Sequence, residues 1–411
     1  MTVDRSPRWL RALVVAGLAA AVVGVYAAGD WRQGDVDLYH IYALGFWGNL
    51  SHPLLPTEYP PLSILPFSLT LLGPGAWYPD VFAFWMGVIA VLGYVAFRRL
   101  ISQRQANAYA LYVVAAGVAT LLFRFDLAPA LITVGTVWLM QRGRFSVVYP
   151  LLAVATLMKL FPLVLLPVAA IAHWHARRGD LGSRWTHVAI GFASYAVIVA
   201  AGFVAASLFD PVHGLSSIAY DLRRPVEVES VSATVLWLGS IFGATASPNI
   251  SFGSFNLVSG MSPLINALAD AALLCGLSGV YWGQLRGRFS VGQAAVAVVL
   301  VLLCTSKVLS AQYLIWVAPL LALTVGFQLR WFIVCLLTAL VFPALWPVGV
   351  GQGGVATYGA VFLVGVAVRN AALVFLTVRF LSVPGIDRGL GEDRDVDLAG
   401  RRQEQPLSAV R

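Results

Sequence analysis

The charged side chains beside the apolar segments of this 411-residue chain could together act on a phosphate-linked substrate. A carboxylate can serve as a general base towards a hydroxyl group, and arginine or lysine can neutralise phosphate charge. Because a charge near a bilayer carries a desolvation cost, a cluster of them is a candidate active site. The charged residues of this group are Asp35, Asp37, Glu58, Arg124, Asp126, Lys159, Arg223, Arg224, Glu229 and Lys307.

The elements that must position these residues are apolar helices. Hydrophobic residues make up 59% of the chain, and its mean hydropathy is +0.80. Many apolar runs reach roughly 17–25 residues, enough to cross a hydrocarbon layer of about 30 Å. The sequence therefore predicts an all-α polytopic integral membrane protein, with one helical catalytic domain over residues 1–384. The polar segment 385–411 is predicted to be a disordered, charged cytoplasmic tail.

About twelve transmembrane helices are predicted, with both termini in the cytoplasm. Most arginines then lie on the cytoplasmic side, as the positive-inside rule requires, and the charged group lies on the extracytoplasmic face of the plasma membrane. The same rule explains the net charge of +8, so nucleic acid is not an expected partner. The predicted spans are about 9–28, 80–97, 106–123, 127–141, 146–158, 161–173, 187–208, 264–284, 290–306, 311–327, 331–349 and 357–381.

Three apolar stretches need separate treatment. The runs 61–73 and 232–245 cannot be full crossings without inverting the charge bias. They are predicted to be re-entrant or interfacial helices within two large outer loops. The stretch 146–173 is long for one helix, and its division at Lys159 gives two short helices that keep the following arginines in the cytoplasm.

Short motifs follow one another along the predicted outer segments. They are Asp35 with Tyr39 four residues on, Glu58-Tyr59-Pro60-Pro61, Lys159-Leu160-Phe161-Pro162, Arg224 to Ser230 with Glu229 before its end, and Lys307 to Tyr313 with Gln312. Paired prolines restrict the backbone and hold the residues before them in place. Taken together, the motifs resemble the polyprenyl-phosphate-mannose-dependent mannosyltransferases of glycosyltransferase family 87, which have the GT-C fold. Ala311 stands where that family usually has proline.

The resemblance covers about residues 10–380 and implies a GT-C-like bundle. It also implies the inverting transfer of a sugar from a polyprenyl-phosphate donor to a lipid or glycan acceptor. In that family the sugar is mannose. Asp35 would be the general base, and Asp37, Glu58 and Tyr59 would be catalytic or orient the acceptor. The donor phosphate would be bound by Lys307, Arg224, Arg223 and Lys159. Further substrate contacts would come from Tyr39, Arg124, Asp126, Glu229, Gln312 and Tyr313.

A metal ion is an alternative to these cations. Asp35 and Asp37 match the Asp-x-Asp pattern with which nucleotide-sugar transferases hold Mg²⁺ or Mn²⁺. Arginine and lysine alone can neutralise a monophosphate leaving group, so a metal-independent reaction without a cofactor is favoured and no metal ligand is assigned.

Two other functions are compatible with a polytopic chain of this composition. A transporter or flippase of a lipid-linked sugar would tend to place polar residues near the bilayer midplane and to carry internal repeats. Here the charges collect at one predicted face and no repeat is visible, which favours the enzyme. The third function is that of a non-catalytic partner in a cell-envelope complex. The expected partners are membrane lipids, the lipid-linked sugar and its acceptor.

Overall fold

A computed structural model of the chain describes residues 35–48, 54–177, 180–349 and 358–383. These residues are mostly helical, as predicted. The α-helices are α1 Asp35–Gly48, α2 Ile64–Phe67, α3 Tyr78–Leu100, α4 Gln103–Ala116, α5 Leu127–Gln141, α6 Phe145–Met158, α7 Leu166–Ala176, α8 Leu181–Phe209, α9 Ser216–Arg223, α10 Val231–Ile241, α11 Ser262–Leu285, α12 Val291–Thr305, α13 Leu314–Val325, α14 Leu329–Ala339, α15 Trp346–Gly349 and α16 Ala360–Ser382. The 3-10 turns are Pro61–Ser63, Ser68–Leu71, Gly75–Trp77, Phe161–Leu165 and Ala311–Tyr313, and a π-helical turn covers Leu340–Leu345.

Four described helices are long and apolar enough to cross a membrane. They are Gly75–Leu100, Leu181–Phe209, Ser262–Leu285 and Ala360–Ser382. The other apolar helices have 10–17 residues. At a rise of 1.5 Å per residue, a helix of about 15 residues spans roughly 22 Å, less than the hydrocarbon layer. A helical membrane protein is therefore supported, whereas the number of twelve crossings is not confirmed and stays a prediction.

Local sequence signals explain where particular helices begin and end. Ser290 precedes α12, and its hydroxyl accepts the backbone N–H of Gln293, whose side chain accepts the N–H of Ser290 in return. This capping box satisfies two backbone donors that a helix start leaves free. Helix α6 ends at Met158, because Lys159 has an extended backbone (φ −159°, ψ 139°) and Pro162 opens the next turn. The predicted division at Lys159 is confirmed.

The centre and the periphery of the bundle differ in what covers their apolar side chains. Helices α12 and α13 lie at the centre, where almost every residue is buried against protein. In α8 and α11, by contrast, the most apolar windows are only 17% and 6% buried. Apolar surface of this extent is unfavourable in water and is suited to contact with lipid.

The segment between α10 and α11 contains a β-hairpin, a small addition to the predicted all-α fold. Strands β1 (Ser247–Ser251) and β2 (Ser254–Val258) pair in antiparallel register around Phe252 and Gly253. Both turn residues have positive φ, 56° and 60°, as a tight two-residue hairpin turn requires. The sequence analysis does not predict these two short strands.

Of the remaining predicted segments, two are described by the structure and two are not. The run 61–73 forms short helical turns and 232–245 begins as α10, and neither is long enough for a crossing. The predicted span 9–28 and the tail 385–411 lie outside the described residues.

Candidate functional site

A cavity of about 270 Å³ lies where widely separated segments of the chain meet. Its walls come from the start of α1, the loop before α2, the turns that precede α5 and follow α6, the end of α9 with the segment after it, the β-hairpin and the start of α13. The predicted site residues in its lining are Asp35, Glu58, Tyr59, Arg124, Lys159, Arg224, Glu229, Gln312 and Tyr313. The fold thus brings most of the predicted site into one place.

An ion pair forms one wall of the cavity. Asp35 is the first residue of α1, and its carboxylate contacts the guanidinium of Arg124 in the turn before α5. The Asp35 side chain is 32% exposed, so it remains open to the cavity. Burial lowers the pKa of Arg124 to about 10, against the opposing charge of Asp126, and the guanidinium stays charged at neutral pH. The wall therefore presents a carboxylate next to a fixed cation.

The ammonium of Lys159, also in the cavity lining, lies within a group of aromatic rings. Its Nζ donates a 2.5 Å hydrogen bond to Asp126 Oδ1, which also accepts the indole N–H of Trp316 at 2.5 Å. Asp126 is 1% exposed and does not line the cavity, which corrects its predicted role as a substrate contact. The rings within 6 Å of Nζ are Tyr59, Phe125, Tyr313 and Trp316.

The Glu58-Tyr59 motif is held by other aromatic residues. Glu58 Oε2 accepts the hydroxyl of Tyr42 at 2.8 Å. The Tyr59 ring packs edge-on against Tyr39 and Phe125, with centroid distances of 6.1 and 5.1 Å. Tyr39 is fully buried behind Tyr59, so it supports the lining instead of contacting a substrate as predicted.

The segment after α9 runs beside the hairpin and forms the next wall. The N–H of Val228 donates to the carbonyl of Phe255 at 2.9 Å, which fixes the segment against β2. Glu227 lines the cavity, and one of its carboxylate oxygens accepts the hydroxyl of Ser310. Arg224 also lines the cavity, with its guanidinium 5.7 Å from the ring of Tyr220.

Glu229 reaches the cavity wall but is bound to helix α16. Arg369 Nη2 donates to the Glu229 carbonyl oxygen at 2.8 Å and lies 3.4 Å from its Oε2. Asn370 Nδ2 donates to the carbonyls of Glu229 and Ser230, both at 3.1 Å. Because Arg369 is fully buried, these contacts attach the wall segment to the bundle. They give Glu229 a structural partner, and its predicted contact with a substrate stays a prediction.

Three other predicted residues do not reach the lining. Lys307 Nζ donates to a backbone carbonyl of α9 at 2.8 Å, and Arg223 is exposed on that helix. Asp37 accepts the hydroxyl of Tyr78. Their positions give no support to direct roles in phosphate binding or catalysis.

The two acids of the Asp-x-Asp pattern do not converge. Asp35 contacts Arg124 and Asp37 contacts Tyr78, because residues two apart on a helix point in different directions. Within the described ranges, no group of three or more histidine, cysteine or acidic residues could hold a metal ion. The cationic side chains in the cavity lining are those of Arg124, Lys159 and Arg224.

Several lining residues were missed from the sequence. Glu227 could have been found, because it precedes Glu229 by two residues in an extended segment, where alternate side chains share a face. Asp221 carries a charge in a short amphipathic helix, and burial raises the pKa of its carboxyl. The others have no charge or motif to mark them. The missed residues include Tyr220, Asp221, Glu227, Phe252, Gly253, Ser254, Phe255, Ser310, Phe342 and Trp346.

No protein-family model matches this sequence, and no curated protein is significantly similar to it. What the cavity can do therefore follows from its own residues. It offers a partly exposed carboxylate, three cations and several aromatic rings at the ends of apolar helices. That combination suits a substrate with an anionic group, hydroxyl groups and an apolar tail.

Proposed function

We propose that the protein is a membrane glycosyltransferase that moves a sugar, mannose in the first instance, from a polyprenyl-phosphate donor to a lipid or glycan acceptor with inversion. The observation that supports this most is that Asp35, Arg124, Lys159 and Arg224 line a single cavity. A base and several cations are what the transfer needs, since a proton leaves the acceptor while charge builds on phosphate.

Asp35 is the base in this proposal. Its carboxylate takes the proton of an acceptor hydroxyl while that oxygen bonds to the anomeric carbon of the donor sugar. The bond between the anomeric carbon and the phosphate oxygen breaks, and the electron pair leaves with the polyprenyl phosphate. The guanidinium of Arg124 contacts the Asp35 carboxylate and can hold it in position beside the acceptor hydroxyl.

The cations stabilise the departing phosphate. Lys159 faces the cavity, and its bond to Asp126 uses only one of the three N–H donors of an ammonium. Arg224 can offer paired N–H groups to phosphate oxygens. The rings of Tyr313 and Trp316 stack on each other with centroids 3.9 Å apart and give the sugar an apolar surface beside the ammonium.

The test compares two aspartates on the same helix. Purified protein is given radiolabelled polyprenyl-phosphate-mannose and a membrane extract as the source of acceptor. Asp35→Asn should lower transfer by about 10²–10⁴-fold, the usual contribution of a general base. Asp37→Asn, a matched change two residues on and outside the cavity, should keep nearly all of it. Equal activity in Asp35→Asn would remove Asp35 from the mechanism.

Two further measurements address the alternatives. If the cations suffice, EDTA should leave the rate unchanged, whereas a large fall that Mg²⁺ or Mn²⁺ reverses would restore the Asp35 and Asp37 metal hypothesis. In sealed vesicles, movement of the labelled lipid across the bilayer without any transfer would instead support the flippase.

A further inference from the structure

Glu227 lies in the cavity wall with its backbone fixed by hydrogen bonds to neighbouring segments. Its N–H donates to the Lys307 carbonyl at 2.9 Å, and it forms an antiparallel bridge with Asn256 of β2. The neighbouring Leu257 N–H donates to the carbonyl of Val226 at 2.8 Å. The side chain therefore starts from a rigid position between the hairpin and the segment before α13.

The carboxylate of Glu227 is buried but only partly hydrogen-bonded. The residue is 6% exposed and lines the cavity. Ser310 donates its hydroxyl to Oε1, whereas Oε2 has no hydrogen-bond partner among the described residues. A carboxylate can accept about four hydrogen bonds, and leaving a buried oxygen without one is unfavourable. An unfilled acceptor in a cavity wall is explained most simply by a donor that arrives with the substrate.

Two other carboxylates of the lining differ from that of Glu227, because each is paired with a cation. Asp35 has Arg124 as its ion-pair partner, and Glu229 has Arg369. Glu227 has no cation within ion-pair distance in the described part of the chain, although Arg224 lines the same cavity. Its free acceptor therefore suits a neutral hydrogen-bond donor, and it would repel an anionic group. On a sugar-phosphate substrate, the neutral donors are the sugar hydroxyls.

We infer that Glu227, oriented by Ser310, accepts a hydrogen bond from one sugar hydroxyl and thereby selects which sugar the protein uses. This inference rests on the proposed transfer function. The hydroxyl can belong to the donor sugar or to an acceptor sugar, because both present the same chemistry. Glu227 is a specificity-determining residue in this scheme, since the proton transfer is assigned to Asp35.

The experiment removes one hydroxyl at a time. Short-chain polyprenyl-phosphate-mannose and its 2-, 3-, 4- and 6-deoxy analogues are compared as donors by kcat/KM, with octyl α-mannoside as acceptor. A second series pairs the normal donor with the corresponding deoxy octyl mannosides. Loss of a hydrogen bond to a charged group should make one deoxy compound about 10- to 100-fold poorer for the wild type. The series in which this occurs identifies the source of the hydroxyl.

Glu227→Gln is the informative variant, because it keeps the shape and removes the charge. The penalty for that deoxy compound should shrink to within about threefold, since an amide forms only a weaker neutral hydrogen bond. Ser310→Ala should give an intermediate penalty, because the carboxylate remains but is no longer oriented. Glu58→Gln, a matched change at another acid of the lining, should lower the rate without changing the ranking of the deoxy compounds.

Outcomes for the inference and for the transfer function can be told apart. Identical deoxy rankings in the wild type and Glu227→Gln would overturn the role of Glu227 while leaving the glycosyltransferase in place. If the wild type transfers nothing, binding of the same compounds is measured through the fluorescence of the cavity residues Trp316 and Trp346. Binding that discriminates in the wild type but not in Glu227→Gln would retain the sugar site and reject the transfer, and no discrimination would reject both.

Discussion

Two buried ion pairs of this protein each join a cation to a carboxylate, but only one of the two cations lines the cavity. Lys159 and Asp126 meet beside the cavity, and Arg369 and Glu229 meet where helix α16 contacts the cavity wall. The Lys159 ammonium lines the cavity, whereas Arg369 is fully buried and does not. Arg369 also bonds to the carbonyl of Glu229, next to similar bonds from Asn370.

The difference shows how a buried charge can be assigned a role. A cation that is surrounded by protein and bonded to a backbone carbonyl, as Arg369 is, fixes one segment against another. A cation that has a buried counter-ion on one side and a cavity on the other keeps hydrogen-bond donors for a ligand. Burial alone does not separate these cases, because breaking either pair leaves an uncompensated charge. The experiments below test the distinction by treating the two pairs identically.

The largest effect on stability is expected for Arg369→Met. It leaves Glu229 buried without its cation, which should cost about 3–5 kcal/mol of the free energy of unfolding. Thermal unfolding in detergent measures this loss when it is followed with a thiol-reactive dye in a Cys275→Ser background, which removes the exposed thiol and leaves the less accessible Cys304 and Cys335. Adding Glu229→Gln should restore much of the stability, because no charge then remains to compensate. A single variant as stable as the wild type would contradict the structural role of Arg369.

Neutralising both pairs should separate stability from activity. Lys159→Met with Asp126→Asn should leave a folded protein but lower transfer about 100-fold, because a donor to the developing phosphate charge is lost. Arg369→Met with Glu229→Gln should keep most of the transfer. Radiolabelled mannose transfer by both double variants, normalised to folded protein, measures the contrast. Equal losses in the two variants would mean that the pairs do not differ in function.

Asp126→Asn alone should make donor binding sensitive to pH. Burial lowers the pKa of the Lys159 ammonium, and Asp126 opposes that shift by favouring the charged form. Without Asp126 the pKa should fall further, so the ammonium loses its proton at a lower pH as the pH rises. The KM for the donor should therefore begin to increase at a lower pH than in the wild type. Superimposable pH profiles would exclude this positioning role.

The smallest effect is expected for Trp316→Phe. The ring next to Lys159 is retained, but the indole N–H that donates to Asp126 is lost. One buried hydrogen bond contributes about 1 kcal/mol, which corresponds to roughly a fivefold rise in the donor KM. Trp331→Phe is a suitable control, because Trp331 is a buried tryptophan outside the cavity.

The sequence predicted those parts of the molecule that depend on neighbours along the chain. Apolar runs predicted the helices, and the length of the run 146–173 together with the charge at Lys159 predicted the break after α6. The Glu58-Tyr59-Pro60-Pro61 motif predicted that Glu58 and Tyr59 belong to the site, and both residues line the cavity. The hairpin at Phe252 was missed. Both of its turn residues have a left-handed backbone conformation, but only one of them, Gly253, is a glycine that would indicate such a turn in the sequence.

What the amino-acid order alone determined is the class of chain, with apolar helices broken where charges and prolines interrupt them, and a set of charged residues too costly to leave in lipid without a partner. The tertiary structure decided what each charge does. The two lysines, Lys159 and Lys307, follow similar apolar helices, yet one meets Asp126 and faces the cavity, while the other meets a carbonyl of α9 outside it. Their partners are 33 and 85 residues away in sequence, and only the packing of the helices determines which distant group lies within hydrogen-bond reach.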